Sequence, residues 1–183
     1  MTITLNDYDY VREHVRQVPD FPKKGILFLD ITTATKDAKA FQKSMDFLYE
    51  QFKDEDLTYV AGVESRGFIF GAALAAKLGI GFIPIRKPLK LPADTISETY
   101  DLEYGTDTIE IHRDAVKPGD RVVIIDDLLA TGGTAVAACN LVRKAGGDVV
   151  AASFIIELDP LKGREKIEDK GVKVISMLHY DLD

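Results

Sequence analysis

The chain has 183 residues, 46% hydrophobic and 29% charged, which suits one soluble globular domain with a real core. A net charge of −7 excludes a general nucleic-acid binder, which needs a basic face to neutralise phosphates, but not a protein that holds a small phosphorylated ligand in a local cluster of amides and basic side chains. Cys139 is the one cysteine, so an intrachain disulfide is excluded, and no run reaches the roughly 18 uninterrupted apolar residues of a membrane span.

The start is polar, with Asp7 and Asp9, and does not read as a secretory signal. The expectation is a cytoplasmic protein with no membrane and no nucleic-acid partner. In chain order, Val11–Val18 reads as a short helix that stops at Pro19. Pro19-Asp20-Phe21-Pro22 is a rigid turn, because each proline fixes φ and denies its predecessor the α region. Gly25–Ile31 is a short apolar strand or extended segment. Ala38–Phe52 carries apolar residues at Phe41, Met45, Leu48 and Phe52, a helical spacing. Tyr59–Val63 reads as a buried strand, Gly67–Leu78 as an Ala-rich helix stopped by Gly79, and Gly81–Ile85 as another strand. The most apolar stretch, Gly67–Ile85, is broken by Lys77, Gly79, Gly81 and Pro84.

From Arg86 to Arg113 the pattern changes to Pro, Thr, Asp and Glu. Ile109 and Ile111 alternate with Thr108, Glu110 and His112, which predicts a solvent-facing antiparallel hairpin rather than core. Long insertions of this kind are often lids. Lys117-Pro118-Gly119-Asp120 is a turn, and Arg121–Ile125 a strand buried on both faces. Thr134–Lys144 is a helix with Ala135, Ala138, Cys139 and Val142 on its apolar stripe, ended by Gly146-Gly147; Cys139 reads as a small core residue. Val149–Ile156 is a strand, Gly163–Asp169 a charged helical piece, and Val172–Met177 a last strand. Strands alternating with helices from Tyr59 onward predict an α/β fold with a mainly parallel central sheet flanked by helices.

The chemistry is concentrated in the run from Val122 to Thr134. A buried strand ends in two adjacent carboxylates, Asp126 and Asp127, and a short loop with two glycines and two threonines then opens a helix. Ligands of open α/β sheets bind beyond the carboxyl ends of the strands. Glycines let backbone amides approach a ligand, and a helix start adds free N–H groups and a positive dipole end. The result is a cradle for one phosphate, with the Thr131 and Thr134 hydroxyls as extra donors. The two carboxylates would repel a bare phosphate, but they suit a ligand with hydroxyls a few ångströms away, such as ribose 5-phosphate. They would also favour positive charge developing at C1′. The run is neither a Walker loop nor a dinucleotide fingerprint. His14, His112 and His179 are scattered without metal spacing and read as surface or satisfied residues.

Strand, Asp126-Asp127, two apolar residues and Ala130-Thr131-Gly132-Gly133-Thr134 together resemble the phosphoribosyl pyrophosphate (PRPP) signature of the type I phosphoribosyltransferases. Pro19–Pro22 with Gly25–Asp30, Glu64-Ser65-Arg66-Gly67-Phe68, Tyr100-Asp101-Leu102-Glu103-Tyr104-Gly105 and Leu161-Lys162-Gly163-Arg164-Glu165 are similar to segments of the adenine-specific branch of that family. The resemblance implies that fold over one domain, with an N-terminal base-binding hood over residues 1–35 and a flexible lid over residues 86–113. It implies a pentosyltransferase of purine salvage that joins adenine to PRPP with Mg²⁺, releases AMP and pyrophosphate, and works as a homodimer.

By the same resemblance, Ala130, Thr131, Gly132, Gly133 and Thr134 hold the 5′-phosphate. Asp126 and Asp127 bind ribose hydroxyls directly or through Mg²⁺, with no metal site built by protein alone. Ser65, Arg66, Arg86, Lys87 and Lys90 serve pyrophosphate, and the Glu64–Ser65 peptide is cis. Leu27, Phe28, Leu29 and Leu128 hold the base, Glu103 is the acid/base, and Tyr104 belongs to the lid. Leu29 stands where many members carry Arg, and Pro88 and Leu89 stand where relatives often have basic or glycine residues. A phosphoribosyltransferase for another purine, a non-catalytic nucleotide-sensing regulator and a pyrophosphate-binding structural subunit remain alternatives at this level.

Overall fold

The computed structural model describes residues 5–101 and 105–181. Helix α1 (Leu5–Glu13) leads into a two-stranded antiparallel ribbon, β1 (Arg16–Pro19) and β2 (Leu27–Asp30), in which Val18 faces Phe28. The helix expected over Val11–Val18 therefore ends at Glu13, and residues 16–19 are extended. A single short helical stretch has little stability of its own, and pairing with β2 overrides it. The Arg16 guanidinium reinforces that pairing, donating to Asp30 Oδ2 at 2.9 and 3.2 Å.

A short helix, α2 (Thr32–Lys36), was not legible in the sequence. Asp37 then caps α3 (Ala38–Phe52), its carboxylate accepting from the Ala40 amide at 2.8 Å. β3 (Tyr59–Val63), α4 (Gly67–Leu78) and β4 (Gly81–Ile85) have the bounds read from the sequence, and Gly79 ends α4 at φ 73. β5 (Thr95–Asp101) and β6 (Thr106–His112) form the antiparallel hairpin. β7 (Arg121–Leu129), α5 (Gly133–Ala145), β8 (Asp148–Leu158), a 3₁₀ turn (Asp159–Leu161), α6 (Gly163–Glu168) and β9 (Lys173–Tyr180) complete the chain.

Five strands make one parallel sheet in the order β4-β3-β7-β8-β9. β7 lies in the middle, and its Val122 to Ile125 are fully buried. Val123 and Ile125 face a core layer with α1, α3 and α4; Val122 and Ile124 face a second layer with α5, α6 and the hairpin. Burial on both faces is why this strand is a continuous apolar run. The hairpin is not the purely solvent-facing element expected. Ile109 and Ile111 are 1% and 0% exposed, and Arg86 and Glu110 exchange backbone hydrogen bonds at 2.9 and 2.8 Å. One face of β6 is thus core and only the other is free. Cys139 is buried in α5, and burial pushes its thiol up to about 11.

The chain leaves β3 toward β4 on one side and leaves β7 toward β8 on the other. Loops that part in this way open a crevice at the carboxyl ends of the two strands. No helix among the described residues is long and apolar enough to cross a membrane.

Candidate active site

β7 does not stop at Ile125. It continues through Asp126 and Asp127 to Leu129, still paired with β8, so both carboxylates are fixed by a sheet rather than carried on a loop. The turn to α5 passes through Gly132 at φ 80, a left-handed conformation that a side chain would resist. A cavity of about 90 Å³ lies over this turn, lined by Ala130 to Thr134 with Asp126 and Leu128 among its other walls. The first amides of α5 have no partners within their own helix, and Gly133, Thr134 and Ala135 of that first turn line this space.

A groove of about 250 Å³ adjoins it, sharing Asp126, Leu128 and Thr134 and reaching Ser65, Arg66, Lys87 and Tyr100. The peptide between Glu64 and Ser65 is cis, as the resemblance implied, and the Phe21–Pro22 peptide is cis as well. Asp127 is 3% exposed and accepts from Arg66 Nε at 2.5 Å. Asp126 Oδ1 accepts from the Asp127 amide at 2.9 Å. Burial, and then the adjacent Asp127 charge, push the Asp126 carboxyl well above the usual carboxylate range. Two acids side by side, one resisting ionisation, make a site that favours hydroxyl donors or a cation.

Of the residues expected at pyrophosphate, Ser65, Arg66 and Lys87 line the groove. Arg86 and Lys90 line none of these cavities. Arg86 instead spreads its fork over Glu64 at 3.1 and 3.2 Å and donates to the Lys90 carbonyl at 3.0 Å. Glu64 also accepts from the Lys87 amide at 3.0 Å, so the Arg86–Glu64 pair ties the cis-peptide loop to the end of β4. The Lys87 ammonium pairs with Asp107. Tyr100 links the two cavities, its hydroxyl donating to Asp107 at 3.2 Å and accepting from Thr134 Oγ1 at 3.1 Å. Tyr100 was named from the sequence only as the first residue of the lid segment, and Asp107 was not singled out, being one polar residue in an alternating hairpin.

A third cavity, of about 420 Å³, lies under the β1–β2 ribbon and shares Arg66 with the groove. Phe28 and Leu29 line it as expected, Val18 and Phe21 are additional walls, and Leu27 is not among them. The rings of Phe21 and Phe28 meet edge to face at 5.1 Å. Leu29 is 4% exposed and packs into the core while also lining the cavity. Asp30 at the rim accepts from the Thr32 hydroxyl and amide, which together with Arg16 hold its carboxyl below the usual range. Glu103 and Tyr104 lie outside the described residues.

The histidines are mostly satisfied: His14 Nδ1 is 2.8 Å from the Tyr10 carbonyl and His179 Nδ1 2.8 Å from Asp159. His112 Nε2 is the exception, buried without a hydrogen-bond partner among the described residues. Ligand atoms of Glu157, Asp159 and His179 do converge within 4.8 Å, a proximity invisible in the sequence. Both oxygens of Glu157 are already taken by Arg164, at 2.9 and 2.6 Å.

The phosphoribosyl transferase domain family matches residues 31–180 of the chain. Adenine phosphoribosyltransferase of Escherichia coli O1:K1 / APEC is 51% identical over 180 residues, 98% of each chain. Among solved structures, adenine phosphoribosyltransferase of Thermoanaerobacter pseudethanolicus superposes with a TM-score of 0.90 at 51% identity, over 94% of this chain and 99% of that one. The Saccharomyces cerevisiae adenine phosphoribosyltransferase, complexed with an imino-altritol bisphosphate and adenine, gives 0.89 at 40% identity, over 96% and 100%.

Proposed function

From the premise that this chain belongs to the phosphoribosyl transferase family and is an adenine phosphoribosyltransferase, we propose how its own residues divide the reaction. The reaction moves the 5-phosphoribosyl group of PRPP to N9 of adenine, giving AMP and pyrophosphate. The observation that carries the assignment is the row of three cavities joined by Asp126 and Arg66, a phosphate cradle, a carboxylate-floored groove and an apolar slot in series.

In this reading the amides and hydroxyls of Ala130 to Thr134 hold the 5′-phosphate. Asp126 and Asp127 meet the ribose hydroxyls, and the Asp127 charge stabilises the cationic C1′ as the bond to pyrophosphate breaks. Arg66, Lys87 and the Ser65 backbone take the departing pyrophosphate, with Arg86 bracing the loop through Glu64 rather than touching the ligand. Phe28 and Phe21 form one aromatic wall for the adenine ring, Leu128 of the adjoining groove closes on it from the other side, and the Leu29 backbone supplies its edge contacts. The β1–β2 ribbon is the hood, and the hairpin of residues 86–113 closes over the groove and excludes water, which would compete as nucleophile. Glu103 manages the proton of the attacking ring and Tyr104 travels with it.

Mg²⁺ fits this donor set. Asp127 is already paired with Arg66 and Asp126 resists ionisation, so the protein offers few ligands, and substrate oxygens and water complete the shell of an ion that keeps most of its own waters. When bound, it neutralises pyrophosphate charge. We place the enzyme in the cytoplasm as a homodimer, an assembly that sedimentation would test.

The deciding experiment is product chromatography with PRPP and Mg²⁺ and adenine, hypoxanthine, guanine or xanthine in turn. AMP from adenine with little product from the oxo-purines is expected. Product from an oxo-purine would overturn the base assignment, and no product from any base would overturn the catalytic one.

A further inference from the structure

The segment Leu161-Lys162-Gly163-Arg164-Glu165 contributes no wall to any of the three cavities, yet it touches the phosphate cradle from behind. A Cβ on Gly163 would overlap the Ala130 carbonyl oxygen and come to 2.9 Å from the Gly132 amide nitrogen and from Leu129 Cδ1. The contact is reciprocal, since a Cβ on Gly132 would lie 2.6 Å from the Gly163 carbonyl oxygen and 3.0 Å from its Cα. Apart from Leu129 Cδ1, these approaches are to backbone atoms, which cannot swing aside as a flexible side chain could.

The segment itself is held in place. Arg164 grips Glu157, which is 4% exposed on β8, through two hydrogen bonds, and donates to the Val174 carbonyl at 2.9 Å and to Glu168 at 3.2 Å. The Lys162 amide closes the preceding turn on Asp159 at 3.1 Å, and Ile167 behind it is fully buried. If atoms are added at Gly163, the cradle is the softer of the two partners: it is a three-residue turn, whereas the segment is cross-braced to two strands.

We infer that Gly163 is a positioning residue for the 5′-phosphate cradle, its missing side chain setting where the Ala130–Gly132 backbone sits, with Arg164 and Glu157 holding that wall. The inference rests on the proposed placing of phosphate at residues 130–134.

The test is Gly163→Ala, read by calorimetric titration with ribose 5-phosphate and by steady-state kinetics. Expected is a rise of roughly 10- to 100-fold in the ribose 5-phosphate Kd and the PRPP KM, the scale of loss from a sub-ångström displacement of a positioning element. KM for adenine at saturating PRPP should stay unchanged. Gly171→Ala serves as the control: it lies in the same region at φ 71 with open space around it, so it should lower Tm without weakening phosphate ligands. Wild-type affinity in Gly163→Ala overturns the inference, and so does an equal loss for adenine and phosphate ligands, which would mean general loosening. Should Gly163→Ala not fold, Arg164→Lys, which keeps the charge but loses the fork, decides on the same two readouts. A wild-type protein that binds no ribose 5-phosphate overturns the functional reading first, and this inference with it.

Discussion

Leu89 lies between β4 and the hairpin, two residues beyond Lys87, at φ 65 and with its side chain 95% exposed. An L-residue in the left-handed region crowds its Cβ against the next carbonyl oxygen, which costs about 1–2 kcal/mol. Glycine avoids that crowding but gives the unfolded chain roughly 0.5–1 kcal/mol more conformational freedom to lose. A side chain this exposed has almost no buried area, so removing it forfeits no hydrophobic stabilisation. The difference leaves Leu89→Gly more stable by about 0–1.5 kcal/mol, centred near 0.75, or a Tm higher by up to about 6 °C for a chain of this size. Lys87 is held independently by Asp107 and by its own amide on Glu64. The kcat/KM for PRPP should therefore stay within about twofold, as for an ordinary surface change. The assay is differential scanning calorimetry at several protein concentrations, with urea midpoints alongside. A fall in Tm would refute the strain account: Leu89 would then be covered in solution, and a fall that deepens on dilution would identify a second copy as the cover.

Asp127→Asn should lower kcat/KM for PRPP by roughly 10- to 100-fold, the value of a charge-assisted hydrogen bond, and an unchanged value would remove Asp127 from the ribose site. Tyr100→Phe deletes the hydroxyl that joins Thr134 to Asp107, and the PRPP KM should rise by about 3- to 10-fold; an unaltered KM in a folded variant would make Tyr100 purely structural. The Arg86 hydrogen bonds hold the Glu64 carboxyl below its ordinary range against the effect of burial. A carboxylate depressed in the fold stabilises above its unfolded pKa and loses that contribution as pH falls through the folded value. Wild type should accordingly lose stability from about pH 5 downward more steeply than Glu64→Gln, and parallel urea midpoints at neutral and acid pH would count against the pair. Chelating divalent ions should abolish AMP formation, and adding back Mg²⁺ should restore it.

The parallel half of the fold was legible because its signals are local. β3, α4 and β4 match their predicted bounds since a glycine with positive φ and a run of β-branched residues each act within a few positions. The errors fall where a distant partner decides. Residues 16–19 are a strand because residues 27–30 pair with them, and Ile109 and Ile111 are core because α5 and the sheet reach them. β7 runs past its expected end because pairing with β8 carries two carboxylates that composition alone reads as a strand terminus. In the site, the cradle and the two acids were written in one contiguous run. Arg86 was not separable from Arg66 and Lys87: all three are cations near strand ends, and only geometry shows that Arg86 faces Glu64.

The same geometry explains how a fold tolerates adjacent buried acids. Asp127 is neutralised by Arg66, and burial and that neighbouring charge push the Asp126 carboxyl beside it well above the usual carboxylate range. Arg66 also borders the apolar slot, so a single guanidinium stands where the proposed base, ribose and pyrophosphate positions meet. When PRPP binds as proposed, the pyrophosphate competes for Arg66 while the ribose hydroxyls replace it on Asp127. Each half of the broken ion pair acquires a new partner, and neither charge is left bare, which in a buried pair would be strongly destabilising. In the proposed placing, the carboxylate freed in this exchange faces the ribose carbon that becomes cationic. Charge compensation thus passes from a contact within the protein to one made with the transition state, which is where binding energy accelerates a reaction.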